Sequence, residues 1–229
     1  SLKQVISTTE NDTTLINALT SWDNIIYAAD PALDYELNKR IESICERNLS
    51  NKDNLDEGVV EYFNKQFSRC LNILGLVHQD LGEYETSIEY HFKSLKCCEE
   101  MDDSLCASRS YNNIGLLHSN QGHYKEALFF YNKKLAIEKA YDNTGALSLA
   151  HSNIGQVYYK MDSLDLAYYH YQKSLELRKK VGSKGYLADS YNEIAELYQK
   201  WNKLDSVLPF YKKSLEIYEG FSYKRGISS

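Results

Sequence analysis

Cysteine and histidine are the residues of this chain best suited to chemistry, as nucleophiles, metal ligands or proton carriers. The five cysteines are Cys45, Cys70, Cys97, Cys98 and Cys106. Their number is odd, they show no CxxC or Cys/His ligand spacing, and adjacent cysteines seldom bond each other. We therefore expect neither a disulfide framework nor a metal site. The cysteines are interpreted as small, mostly buried hydrophobic residues in a reducing compartment.

The histidines occupy positions that carry tyrosine elsewhere in a repeating pattern. His78 and His118 are followed at the same interval by Tyr158 and Tyr198, and His91 stands in a position otherwise held by tyrosine. A core role is therefore predicted for these histidines. The sequence has no P-loop, HExxH, GxSxG or dinucleotide motif, and the acidic cluster at 99–103 is interpreted as a solvated helix end. We expect no catalytic residue, no metal and no cofactor, so the chain is predicted not to be an enzyme.

Composition narrows the class of protein. The chain has 229 residues with 43% hydrophobic and 25% charged residues, but only 2 prolines and 11 glycines, which disfavours a many-stranded β fold. A net charge of −6 argues against binding of nucleic acid, whose phosphates require a basic face. No apolar run approaches the roughly 18–20 residues that span a bilayer, and no leader peptide is visible. Neither nucleic acid nor membrane is expected as a partner.

The elements that position these residues form an internal repeat with a period of 40 residues. Its first motif occurs at 71–75 (LNILG), 111–115 (YNNIG), 151–155 (HSNIG) and 191–195 (YNEIA). Its second motif occurs at 93–95 (KSL), 133–135 (KKL), 173–175 (KSL) and 213–215 (KSL). We use the word column for the set of residues that share one position of the repeat.

Each copy has the pattern of a helix, a turn and a second helix. Apolar residues of the first helix recur at spacings of three and four, which forms one buried stripe. Glycine inside a helix costs about 0.5–1 kcal/mol relative to alanine, so its recurrence at 75, 115 and 155 predicts that the neighbouring helix packs against bare backbone. Turns are predicted at Gly82, Gly122, Asp162 and Asn202. The second helices are predicted to open at Tyr84, Tyr124, Leu164 and Leu204.

These motifs resemble the tetratricopeptide-repeat family, whose signature combines an aromatic or Leu, Leu-Gly, Tyr, a turn Gly-x-Tyr, Ala and an aromatic residue. The resemblance covers about positions 56–220, with a 40-residue unit in place of the usual 34 and without the usual proline. It implies an all-α solenoid of antiparallel helix pairs, wound as a right-handed superhelix with longer helices. We expect four repeats at about 56–101, 104–141, 144–181 and 184–220.

The two ends depart from the regular repeat. Residues 1–55 are predicted to form a degenerate helical cap, with a helix over 15–22, a helix start at Asp30-Pro31 and an apolar stripe from Leu33 to Ile44. The segment 222–229 looks like the start of a further repeat, which indicates a fragment of a longer protein. Regular arrays of this kind resemble those of bacterial signalling proteins.

The face of the first helices opposite the apolar stripe is predicted to line a concave groove. Its polar side chains suit an extended peptide, because asparagine both donates and accepts hydrogen bonds. Arg109 with Asn113 resembles the Arg and Asn of long-helix members that hold extended peptides. The predicted groove residues are Arg69, Asn72, Arg109, Asn112, Asn113, Leu116, Asn153, Gln156, Asp189, Asn192, Glu193 and Glu196.

Two interpretations of this face remain open. It binds a peptide that carries an acidic group near the arginines and a basic group near the carboxylates, or its asparagines bond each other and its charges are solvated. The favoured function is a protein- or peptide-binding module of a larger bacterial signalling protein. The alternatives are a self-association scaffold and the non-catalytic part of an enzyme whose active domain follows residue 229. The cysteines favour a cytoplasmic location, and a periplasmic sensor domain remains an alternative.

Overall fold

A computed structural model describes residues 9, 11–26 and 30–226, with side chains to residue 220, and over these residues the chain is built from helices with no strand. The all-α prediction is confirmed. The α-helices are α1 (Asp12–Ile26), α2 (Pro31–Leu49), α3 (Glu57–Asp80), α4 (Tyr84–Glu100), α5 (Ser104–Asn120), α6 (Tyr124–Ala140), α7 (Thr144–Lys160), α8 (Leu164–Val181), α9 (Lys184–Lys200) and α10 (Val207–Gly226). Short 3-10 helices lie at Lys52–Asn54 and Leu204–Ser206.

The chain forms two compact units, residues 1–117 and 118–229. In the first unit α1 packs on α2, α2 on α3 and α3 on α4. In the second unit the same order runs from α6 to α10, each helix packing on the next. Consecutive packing of antiparallel neighbours is the arrangement expected of a helical solenoid.

The helix α2 starts at Asp30-Pro31, as predicted. The Asp30 side chain accepts a hydrogen bond from the Leu33 amide at 3.1 Å, which caps α2, and Pro31 occupies the first turn, where it displaces no helical hydrogen bond. Leu37 and Ile41 of the predicted stripe are buried in the core of the first unit. The helix over 15–22 lies inside the longer α1.

The turns between paired helices depend on one left-handed residue. Gly82 and Gly122 have φ of +78° and +79°, and Asp162 and Asn202 take the same conformation at +58° and +57° in later repeats. Asp and Asn tolerate this region better than other residues with a side chain. The turn prediction is therefore confirmed at all four positions.

The last pair departs from the prediction at its second helix. Leu204 opens a 3-10 helix, and α10 begins at Val207, three residues later than the repeat predicts. Proline at 209 explains the delay, because a helix begun at 204 would need an amide hydrogen there. Starting at 207 places Pro209 in the first turn, whose amides have no helical partner. Residues 222–226 continue α10 instead of starting a further repeat, and 227–229 lie outside the described residues.

The glycine column packs against the second helix of its own pair, as predicted. A Cβ placed on Gly75 would lie 2.6 Å from the His91 ring, and one on Gly155 would lie 2.7 Å from the Tyr171 ring. Both rings are buried. In the core of the second unit, Ile154 of α7 packs with Tyr131 of α6, and a separate cluster joins Tyr171 of α8 to Ile194 of α9.

The prediction of unpaired cysteines is wrong for Cys98 and Cys106, which form a disulfide with a Cα–Cα distance of 5.4 Å. Cys98 lies in the last turn of α4 and Cys106 in the first turn of α5. The tight turn between the helices brings these positions face to face, within the 4.4–6.8 Å range of disulfides. Cys45, Cys70 and Cys97 are unpaired and buried, as expected.

Candidate peptide-binding surface

Asn72 belongs to a polar network inside the first unit. Its Nδ2 donates to Ser94 Oγ at 2.7 Å, and its Oδ1 lies 2.9 Å from Nδ1 of His91. Burial lowers the pKa of His91 to about 4, so the ring is neutral at pH 7 and its Nδ1–H is the donor to Asn72. Ser110 also lies 3.5 Å from Asn72 Nδ2. The side chain of Asn72 therefore joins α3, α4 and α5.

Arg69 is held by the N-terminal helix pair. One guanidinium nitrogen donates to Asp23 Oδ2 at 2.8 Å and to Asn24 Oδ1 at 3.0 Å. Asp23 is buried, and Asn38 Nδ2 bridges it to Asp34. Burial, reinforced by the neighbouring Asp23, raises the pKa of Asp34 to about 7. Arg69 therefore compensates charge in the cap, a role that its position in the repeat did not indicate.

Two other predicted residues of the first unit contact their neighbours, whereas Arg109 is exposed. Asn113 Nδ2 donates to Asn72 Oδ1 at 3.4 Å, and Asn112 Nδ2 donates to Asn113 Oδ1 at 3.3 Å. Arg109 forms no ion pair or hydrogen bond with any residue of the described ranges. Leu116 is partly exposed. Arg109 thus leaves a whole guanidinium group available to a partner.

Glu193 is the centre of a charged network in the second unit. Ser152 Oγ donates to its Oε1, and Arg178 Nη1 lies 3.3 Å from its Oε2. Arg178 is 3% exposed and also donates to Ser190 Oγ at 2.8 Å and to the carbonyl of Tyr186 at 2.9 Å. Burial raises the pKa of Glu193, while Arg178 opposes that shift. Sequence reasoning missed Arg178, although the available signal was that the other three copies of the repeat carry no cation at this position.

The other predicted residues of the second unit differ in accessibility. Asp189 Oδ1 accepts a hydrogen bond from the hydroxyl of Tyr218 at 2.6 Å. Gln156 and Glu196 are exposed and contact no polar group in the part of the chain that the structure describes. Asn153 and Asn192 are partly exposed. Gln156 and Glu196 are therefore the side chains of this unit best placed to meet a ligand.

Two lysines further along the first helices cap backbone carbonyls. Lys160 Nζ lies 3.4 Å from the carbonyl oxygen of Ser119, and Lys200 Nζ lies 2.7 Å from that of Tyr159. Each acceptor lies at the C-terminal end of the preceding first helix, where carbonyls lack helical partners and the helix dipole favours a cation. These lysines stabilise the stacking of successive pairs within the second unit.

The histidines pack on aromatic rings. His78 stacks on Tyr90 with ring centroids 5.1 Å apart, and His118 stacks on Phe130 at 5.6 Å. The Nδ1 atoms of His151 and His170 lie 3.0 Å apart. Burial lowers the pKa of both rings, to about 4 for His170, so the pair is neutral at pH 7. Sequence reasoning missed this pair, because the repeat places His151 and His170 on different helices and does not show that their side chains meet.

The described residues contain no group of three or more His, Cys, Asp or Glu side chains that could hold a metal ion. Among the same residues, no helix has both the length and the apolar character required to cross a membrane. On the predicted surface, Arg109, Gln156 and Glu196 are exposed charged and amide side chains on helices. Such side chains bind and orient a partner by hydrogen bonds and charge.

Comparison with known proteins agrees with this architecture. The model of the tetratricopeptide repeat matches residues 68–140 and 146–220. The chain belongs to the tetratricopeptide-repeat family. The matched residues include the glycine and tyrosine columns, which the structure places in the packing between paired helices. No curated protein matches the sequence.

Solved structures with similar folds share little sequence identity with this chain. BtubC from P. vanneervenii has a TM-score of 0.69 at 13% identity, covering 97% of this chain and 92% of BtubC. Aspartyl phosphate phosphatase F from Bacillus subtilis has a TM-score of 0.71 at 15% identity over 94% of this chain, which spans 62% of the phosphatase. A Rap protein complexed with competence and sporulation factor has a TM-score of 0.67 at 12% identity, covering 96% of this chain and 68% of the Rap protein. The chain is a tetratricopeptide-repeat interaction module.

Proposed function

We propose that this module binds an extended protein segment through the first-helix residues that its own fold leaves unpaired. The observation that carries the proposal is a contrast within one set of residues. Arg69, Asn72 and Glu193 are held by neighbours, whereas Arg109, Gln156 and Glu196 project from rigid helices without a polar contact in the described residues. Long polar side chains kept on ordered helices supply specificity at small cost in backbone ordering.

The proposed ligand is a peptide segment with both charged and amide groups. On the second unit, backbone N–H and C=O groups of such a segment would pair with carboxamides such as Gln156, and a basic side chain would pair with Glu196. On the first unit, an acidic side chain of a bound segment would pair with Arg109. The similarly folded Rap protein is crystallised with competence and sporulation factor, which supports the capacity of such an array to hold another molecule. Within this proposal the chain is the regulatory or sensory part of a bacterial signalling protein.

Peptide selection followed by charge reversal tests the proposal. A random library of displayed 12-residue peptides is selected on the immobilised chain, and the affinity of the best peptide is measured by calorimetry. Arg109→Glu should weaken a peptide held by the first unit about tenfold, and Glu196→Lys should do the same for a peptide held by the second unit, as expected for loss of a charge-assisted hydrogen bond. Lys125→Glu and Glu89→Lys reverse exposed charges on second helices and should leave the affinity within about twofold.

The alternatives give different outcomes. Selected peptides whose affinity responds to the second-helix controls, and not to Arg109 or Glu196, would refute the proposed surface. Sedimentation equilibrium of the unliganded chain addresses self-association. A dimer that is broken by Arg109→Glu or Glu196→Lys would assign these residues to a scaffold interface instead of a peptide site.

A further inference from the structure

A cavity of about 290 Å³ opens on the first unit, between the 3-10 turn after α2 and the helices α3 and α4. None of the predicted peptide-binding residues lines it. Its polar wall carries Lys52, Lys93, Lys96 and Asn64, and apolar surface is supplied by Phe67 and Cys97. The chemistry of this cavity is therefore independent of the proposed peptide-binding surface.

The cavity lies where the first repeat departs in sequence from the other three. Cys97 stands in the column that holds Ile137, Leu177 and Ile217, and a cysteine side chain is smaller than any of these. The smaller Cys97 side chain takes up less volume at this position, and it lines the cavity. The adjacent position also departs, since Lys96 occurs where later repeats carry alanine or glutamate.

The wall of the cavity carries more positive than negative charge. Three lysines face one carboxylate, that of Glu100, which lies 3.9 Å from Lys96 Nζ. Lys93 Nζ lies over the Tyr90 ring at 5.4 Å, and neither Lys93 nor Lys52 has a carboxylate within ion-pair distance among the described residues. An uncompensated cationic cavity is notable on a chain whose net charge is −6.

We propose that this cavity binds a small amphiphilic anion, with one phosphate or carboxylate group on a short apolar body. Ammonium groups of the lysines and the amide of Asn64 would donate hydrogen bonds to the anion, and Phe67 with Cys97 would contact the apolar part. At about 30 Å³ for each water-sized group, the volume holds roughly ten non-hydrogen atoms. Phenyl phosphate and benzoate have this size and this chemistry.

Titration calorimetry with phenyl phosphate tests the proposal on the whole chain. Binding should saturate at one site, weaken with added salt, and exceed the binding of inorganic phosphate and of neutral benzyl alcohol. Lys96→Ala introduces the alanine found at 136 and should weaken phenyl phosphate about tenfold, because it removes a charged hydrogen-bond donor. Cys97→Ile introduces the residue found at 137 and should abolish binding by filling the cavity.

Lys133→Ala is the matched control. Lys133 lies in the same column as Lys93 and sits over the Phe129 ring at 5.5 Å, but it does not line the cavity. Its removal should leave phenyl phosphate binding unchanged. Absence of saturable binding to the wild-type chain, equal binding of benzyl alcohol, or wild-type affinity in Lys96→Ala would each overturn the proposal. Lys96 is exposed, so this variant does not depend on the repacking that Cys97→Ile requires.

Discussion

Replacing Gly75 by alanine should destabilise the first unit, although alanine is the better helix former. A Cβ at this position would lie 2.6, 2.8 and 2.9 Å from three atoms of the His91 ring. Favourable contacts between carbon atoms lie at about 3.5–4.0 Å. The ring has little room to retreat, because it is fully buried and its Nδ1 is bonded to Asn72. The backbone at Gly75 is also held, since its carbonyl accepts the hydroxyl of Ser87 at 2.6 Å.

The expected magnitude is the difference between two opposing effects. Alanine in a helix interior gains about 0.5–1 kcal/mol over glycine. Overpacking a closed core costs about 1–3 kcal/mol, and displacing the His91 ring also weakens a hydrogen bond worth about 1 kcal/mol. We therefore expect Gly75→Ala to lower the free energy of unfolding by about 1–2 kcal/mol.

Urea unfolding followed by circular dichroism measures this difference, and Gly58→Ala supplies the control. Gly58 lies in the same helix, and a Cβ there would have no neighbour within 4 Å. The control should be as stable as wild type, or more stable by up to about 1 kcal/mol. If Gly75→Ala matches Gly58→Ala in midpoint and slope, the explanation of the glycine column by ring packing is refuted.

Three further outcomes are expected. Glu193→Ala should cost about 2–3 kcal/mol in urea unfolding by leaving Arg178 buried without a counter-ion, and Arg178→Met in that background should recover part of the loss; a cost near zero would contradict the ion pair. The pKa of His170 lies at about 4 in the folded chain, so the unfolded chain takes up a proton first as pH falls from about 6.5 to 4. Wild-type stability should drop by about 2 kcal/mol over that window and that of His170→Phe by less, so parallel pH profiles would refute the shift. Non-reducing peptide mapping should find Cys98 linked to Cys106, and dithiothreitol should lower the urea midpoint of wild type but not of the double serine variant; five free thiols in the oxidised chain would contradict the pair.

The helical framework can be predicted well from the sequence, because each position of the repeat is observed in four copies. A glycine at 75 is ambiguous alone, but its recurrence at 115 and 155 indicates a close helix contact, which the rings of His91 and Tyr171 provide. Likewise, Asp162 is a weak turn signal until it aligns with Gly82. Recurrence of the same signal in several copies therefore makes the prediction of the fold reliable, although each signal is weak alone.

The roles of polar side chains are harder to predict, since the repeat shows which face a residue occupies and not what meets it there. Asn72 is polar in the way a peptide ligand requires, yet Ser94 and His91 satisfy it from the neighbouring helix. Arg69 is drawn to Asp23, a residue of the cap that the regular repeat does not describe. Contacts between residues far apart in the chain decide which polar groups remain available.

The disulfide is a second contact that the sequence pattern does not predict. Spacing rules for cysteine address ligand motifs and frameworks of several bridges, whereas Cys98 and Cys106 are joined by one tight turn between two helices. Their separation of eight residues becomes a Cα–Cα distance of 5.4 Å only once α4 and α5 fold back on each other. Geometry at a helix junction, and not composition, determines this pair.

Residues that differ from the repeat are of two kinds. Some contact each other and complete the fold, and others leave charged groups that a ligand can bind. His151 and His170 replace an aromatic pair such as Tyr191 and Phe210, and the two imidazoles contact each other as those rings do. Glu193 and Arg178 also differ from their counterparts in the other repeats. They contact each other as an ion pair in the same unit, so neither needs a ligand to balance its charge.

Lys96 and Cys97 also differ from their counterparts in the other repeats, but they do not pair with each other. Lys96 reaches only Glu100, while Lys52 and Lys93 remain uncompensated around space that Cys97 does not fill. If carboxylates balanced all three lysines, small anions should not change the stability of the chain. Because Lys52 and Lys93 are not balanced, phenyl phosphate should raise the unfolding midpoint of wild type, since a ligand that binds only the folded state stabilises it. Cys97→Ile should lose that increase, since the isoleucine would occupy the place of the ligand.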